Sequence, residues 1–85
     1  MTKAYILIDT APGAGPKVVG SLKGIQGVQA AYRVTGPHDA VAVIETADLE
    51  SLAELLEERV RRLSGVQKTT TCIVVAGSSR VGRGR

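Results

Sequence analysis

The chain has 85 residues, with two tyrosines, one cysteine, one histidine, no Phe or Trp, and a formal charge of +3. That length points to one domain, which hides only about 60–65% of the surface its unfolded chain exposes. A lone Cys72 excludes an intrachain disulfide, no apolar run approaches the roughly 18 residues of a membrane span, and Met1-Thr-Lys-Ala opens no signal peptide. The expectation is therefore a reducing, cytoplasmic setting without membrane contact.

The charge is badly placed for nucleic acid. Residues 1–79 carry eight Lys/Arg and eight Asp/Glu, and the whole excess sits on Arg80, Arg83 and Arg85. A nucleic-acid binder usually shows a folded basic face, so direct binding is not expected. The division this suggests is a domain over residues 1–76 and a disordered basic tail over 77–85.

Residues 3–9 (Lys-Ala-Tyr-Ile-Leu-Ile-Asp) read as a buried strand, and residues 10–16 as a loop rich in Gly and Pro. Pro16 suits the first turn of a helix, and Val18, Val19, Leu22 and then Ile25 give that helix one apolar face, closed by Gly24 and Gly27. Val28, Ala30, Tyr32 and Val34 alternate with Gln29, Ala31, Arg33 and Thr35, the period of a half-buried strand. A tight turn over 35–39 leads to residues 40–44, apolar throughout and so expected to be covered on both faces.

The next segment has the firmest periodicity. Leu49, Leu52, Ala53, Leu56, Val60 and Leu63 predict a four-turn helix, with Asp48 as N-cap and Gly65 as its stop. Glu57–Arg61 and Glu58–Arg62 have the favourable i, i+4 order. Residues 67–76 read as a last strand, in which Cys72 is expected to behave as a small buried hydrophobe.

The order strand–helix–strand, strand–helix–strand predicts an α+β, ferredoxin-like βαββαβ fold. Its four-stranded antiparallel sheet would have strands 1 and 3 at its centre and both helices on one face. Strand 1 offers Ala4, Ile6 and Ile8 on one side and Tyr5 and Leu7 on the other, and strand 3 Val41 and Val43 on one side and Ala40, Ala42 and Ile44 on the other, so the uncovered face would still be apolar. Several hundred Å² of such surface, at about 25 cal/mol per Å², favours association by many kcal/mol before entropy is deducted. A face-to-face homodimer is expected at least.

Few residues suggest chemistry. His38 is the only histidine, and adjacent side chains such as His38 and Asp39 seldom orient each other as a catalytic pair; no nucleophile is placed for it. One His, one Cys and scattered carboxylates show no metal-ligand spacing, and no cofactor motif is present. No catalytic residue, metal or cofactor is therefore assigned. Gly36-Pro-His-Asp39 reads from composition first as a hairpin turn, with a binding loop as the alternative. Thr69 and Thr71 share one face of the last strand, either as β-forming residues or as two hydroxyls for a polar ligand.

Val34-Thr-Gly-Pro-His-Asp39, followed by an apolar strand, resembles the Gly-x-x-Asp turn of the Lrp/AsnC regulators' effector-binding half, the RAM domain. Gly27-Val28 ahead of it and Gly65-Val-Gln-Lys-Thr-Thr-Thr-Cys-Ile-Val-Val75 are similar to that family's approach to the turn and to its last strand. The resemblance runs over residues 3–75. It implies a dimeric α+β barrel paired through its sheets, rings of eight or ten subunits, and small effectors, commonly amino acids, bound between dimers. By the same resemblance Gly36, Pro37, His38 and Asp39 would hold the effector's amino-acid moiety, and Thr69 and Thr71 would face its side-chain end.

Two features depart from the family pattern. His38 stands where an aromatic residue is common, and the helix-turn-helix that usually precedes the first strand is not expected here. The reading is of a stand-alone regulatory module that binds amino acids, assembles with itself or with full-length regulators, and has no catalysis. Rival readings are an ACT-like sensor using the loop over 10–15, a small dimeric barrel enzyme, and a purely structural oligomerisation partner.

Overall fold

A computed structural model describes residues 1–77. Its elements are β1 (Thr2–Thr10), α1 (Gly15–Lys23), β2 (Val28–Arg33), β3 (Ala40–Thr46), α2 (Leu49–Leu55) and β4 (Val66–Ile73); α2 runs on into one π-helical turn, Leu56–Val60. The sheet is antiparallel in the order β2-β3-β1-β4. The ferredoxin-like βαββαβ fold is thus present, with the two most apolar strands at its centre. The basic tail beyond Gly77 lies outside the described residues.

Alternation along the strands separates two faces. Ala4, Ile6 and Ile8 of β1 and Ala40, Ala42 and Ile44 of β3 are fully buried and pack with Val18, Leu22, Leu52 and Val60 of the helical layer. On the other face the register sets Tyr32, Val41, Leu7 and Thr70 in one row and Ala30, Val43, Tyr5 and Cys72 in the next. No described residue covers these rows: Tyr5 is 40% and Tyr32 57% exposed.

Three expectations need correction. The period of two does not hold through β2, because the register slips between Val28 and Ala30. The bulge at Gln29 returns Val28 to the helical side with Ala31, and Ala30 and Tyr32 face the open side. Cys72 is exposed rather than buried, since it lies on the open face of an edge strand opposite Tyr5.

The third correction concerns the second helix. Leu52, Leu56 and Val60 recur every four residues, more than the about 3.6 residues of an α turn. The π turn, in which the Arg61 N–H donates to the Leu56 carbonyl at 2.9 Å, absorbs the excess and keeps Val60 fully buried. Leu49, counted on the apolar stripe, is 57% exposed. The Glu57–Arg61 pair forms at 2.8 Å, and Glu58–Arg62 forms none among the described residues.

The predicted N-cap holds, but the helix stops at Val60 with Arg61 as its C-cap, four residues before Gly65. Asp48 accepts from the Ser51 N–H at 2.8 Å. Gly65 adopts φ +96°, and a Cβ there would lie 2.9 Å from Ala14 Cβ, so the residue serves the turn into β4 and the close approach to the start of α1.

Candidate functional site

The turn between β2 and β3 is shaped by its own backbone and tied to the end of β1. Gly36 takes φ +126°, a region L side chains rarely enter. The Val34 N–H donates to the Asp39 carbonyl at 3.0 Å, and the Asp39 N–H donates to the Ile8 carbonyl at 2.9 Å. These bonds close a loop that displays Pro37 at its exposed tip.

Two carboxylates brace that loop. Asp39 Oδ2 accepts from the Thr10 backbone N–H at 2.8 Å and lies 3.3 Å from the Thr10 hydroxyl. Thr10 is 9% exposed and its hydroxyl is satisfied there. His38 Nδ1 lies 2.8 Å from Asp9 Oδ1. A carboxylate only accepts, so Nδ1–H donates and Nε2 is left as the free ring nitrogen. His38 is therefore oriented by Asp9 of β1, not by its neighbour Asp39.

The sequence reading missed Asp9 and Thr10. The signal was there in the pairing of the two central strands: β1 and β3 run antiparallel with Ile8 opposite Ala40, so the residues after Ile8 must meet those before Ala40. The same bonds join the loop over 10–15 to the turn. A cavity of about 330 Å³ is lined by Thr10, Gly13, Arg33 and Asp39 together.

Thr69 and Thr71 lie elsewhere. They stand opposite Ile8 and Ile6 on the helical side of β4. There they line a groove of about 480 Å³ whose other wall is Leu56 and Glu57 of the π turn and Arg61, its C-cap. The structure thus brings Gly36, Pro37, His38 and Asp39 together, and Thr69 with Thr71, but the two groups do not share a cavity within one chain. Arg61 and Glu57 were read from sequence only as a helix-surface ion pair.

Among the described residues no cluster of three His, Cys, Asp or Glu side chains could hold a metal ion. No described helix is long and apolar enough to cross a membrane.

Comparison with known proteins places this geometry in a family. Residues 3–80 match the model of the Lrp/AsnC ligand binding domain. An uncharacterised helix-turn-helix-type transcriptional regulator of Pyrococcus abyssi is 30% identical over 73 residues, covering 86% of this chain and 46% of its own length. The chain thus spans about half the length of the curated relatives it matches.

Among solved structures, a hypothetical protein of Pyrococcus horikoshii superposes with a TM-score of 0.84 at 32% identity, over 91% of this chain and 93% of that one. A feast-or-famine regulatory protein of M. tuberculosis, solved in complex with L-methionine, gives a TM-score of 0.75 at 25% identity over 96% of this chain and 56% of that one. The βαββαβ fold and a family match over nearly the whole sequence agree: the chain belongs to the Lrp/AsnC ligand-binding domain family.

Proposed function

We propose that this chain is an amino-acid-binding regulatory module of that family, non-catalytic and cytoplasmic, that works as an assembly of copies. On this reading residues 1–76 form the ligand-binding domain and the remaining residues a basic tail. The observation that carries it is the braced turn. Asp39 is tied to Thr10 and His38 to Asp9 beside Gly36 and Pro37, while backbone groups, the second Asp39 oxygen and His38 Nε2 are left for a ligand. Such preorganised polar groups suit the ammonium and carboxylate of an amino acid. The L-methionine bound to the M. tuberculosis relative supports the ligand class.

Assembly follows from the open sheet face. Leu7, Val41, Val43, Tyr5 and Tyr32 form a contiguous apolar centre. Lys3 and Glu45 bound it at one end, and Asp9 and Lys68 at the other. An apolar centre with a charged rim is the anatomy of a protein interface, and a second copy or a full-length regulator with the same face fits it. Since the turn and the Thr69–Thr71 groove do not meet within one chain, a site using both is completed only between copies. Ligand binding and assembly are then linked.

Calorimetry of the full chain against each of the twenty amino acids tests the proposal. Heat from at least one, with a shift to larger species in its presence, is the expected result. Silence from all twenty would remove the sensing role and leave a structural oligomerisation partner.

A further inference from the structure

We infer that Lys3 and Glu45 decide which partner the open sheet face accepts and how it docks. The partner is a second copy of this chain, related by a two-fold axis along the strands, so that each Lys3 meets the partner's Glu45. The inference rests on the assembly reading above and names the partner and its orientation.

Two opposite charges stand side by side at one end of the face without meeting. Lys3 of β1 and Glu45 of β3 are direct cross-strand partners, on the same side as Tyr5, Leu7, Val41 and Val43. Opposite charges in that position ordinarily attract each other across the strands. Here neither side chain forms an ion pair among the described residues. The Lys3 ammonium lies over the Tyr5 ring, 5.8 Å from its centroid, and Glu45 Oε1 accepts from the Gln29 side-chain amide at 2.7 Å. A ring and a neutral amide leave both charges uncompensated at the rim. The other end of the face differs, because Asp9 is already engaged by His38 at 2.8 Å.

Symmetry limits how these charges are answered. Two copies packed face to face are related by a two-fold axis either along the strands or across them. In the order β2-β3-β1-β4 the middle of the sheet falls between β3 and β1. An axis along the strands over that gap lays β1 on the partner's β3 and β4 on the partner's β2. Lys3 then comes opposite the partner's Glu45, and Glu45 opposite the partner's Lys3. The same axis sets Tyr32 over the partner's Thr70, a large side chain against a small one. An axis across the strands instead lays each strand on its own copy, reversed. Lys3 would then meet the partner's Asp9, which His38 already holds, and Glu45 would lie over the start of the partner's β3, where Asp39 and Ala40 offer no cation. Only the first arrangement answers both uncompensated charges.

Rim ion pairs add little affinity, but they fix orientation and reject partners that place like charges there. A full-length regulator joins this chain through the face only if it carries the same base and acid in that register.

The test is sedimentation velocity over a dilution series of the full chain, its variants and their equimolar mixtures, with far-UV circular dichroism to check folding. Lys3→Glu and Glu45→Lys each set like charges against one another, and self-association of either alone should weaken about tenfold. Lys3→Gln, which adds no repulsion within the chain, should weaken it about threefold. Mixing Lys3→Glu with Glu45→Lys restores opposite charges between chains while each chain keeps its own like-charged neighbours. Recovery to within about threefold of the parent is therefore expected, and it reports the contact between chains. Two mixtures with the same change in charge serve as controls. Lys3→Glu with Glu54→Lys, an exposed residue of α2, should not recover, and neither should Lys3→Glu with Asp9→Lys. Recovery in either control to the level of the Glu45→Lys mixture, or unchanged self-association in both Lys3 variants, would overturn the inference and leave assembly through the open face standing. A parent protein that stays a single copy at every concentration would overturn that reading and this inference with it.

Discussion

Asp39 Oδ2 accepts the backbone N–H of Thr10 at 2.8 Å, so the carboxylate singled out as a ligand contact is also the strut that fixes the turn to β1. The two roles separate by substitution. Asp39→Ala loses the strut and is expected to cost about 1 kcal/mol in urea unfolding, since the bond is charge-assisted but only part-buried. Asp39→Asn keeps an acceptor oxygen and should retain most of that stability. Both variants should lose ligand affinity while assembly is preserved. Unchanged affinity in both would remove Asp39 from the ligand site.

The open face should govern association. Val41 sits in the row with Leu7 and Tyr32, and Val41→Glu places a charge at the centre of the apolar patch. The expected outcome is a monomer-shifted protein, with self-association weakened at least about tenfold and far-UV circular dichroism unchanged. An oligomer as tight as the parent protein would mean that copies meet elsewhere.

On the opposite face Ile6 is fully buried between sheet and helices. Ile6→Ala is expected to destabilise folding by about 2–5 kcal/mol, read from the denaturation midpoint at constant slope. A loss below about 1 kcal/mol would contradict the single-core packing.

The architecture was legible because hydrophobic period and strand order agree with it: β1 and β3 are the most apolar segments and are central, and Leu52, Leu56 and Val60 mark one helix. The Gly36–Asp39 turn was visible as a turn, but its braces were not. Thr10 and Asp9 lie 29 residues away from their partners and become neighbours only through strand register. The π turn escaped notice because a spacing of four still fits a helical pattern. Cys72 was misplaced because an apolar sequence neighbourhood does not reveal that β4 has an uncovered face. Thr69 and Thr71 were paired correctly on one face; that this face opens into the groove beside Arg61 depends on helix geometry.

The α2 cap should appear in the pH dependence of stability. The Ser51 backbone N–H and then its hydroxyl hold the Asp48 carboxyl below its ordinary value of 3.8. A carboxyl depressed in the folded state contributes stability that is fully present above the unfolded value and is lost as pH falls through the folded one. Asp48→Asn can still cap, but it does not titrate. Acid titrations should therefore show the parent protein losing stability relative to Asp48→Asn below about pH 4. Parallel curves would show that the cap adds nothing that depends on charge.

The central claim is that copies of this chain must meet to cover the sheet and to complete a ligand site. Sedimentation velocity across a wide concentration range, with and without the amino acid that gives heat in calorimetry, tests it most directly. The account predicts dimers or larger species throughout and a shift toward the larger ones when that amino acid is added. A single-copy particle at every concentration, indifferent to amino acids, would contradict it.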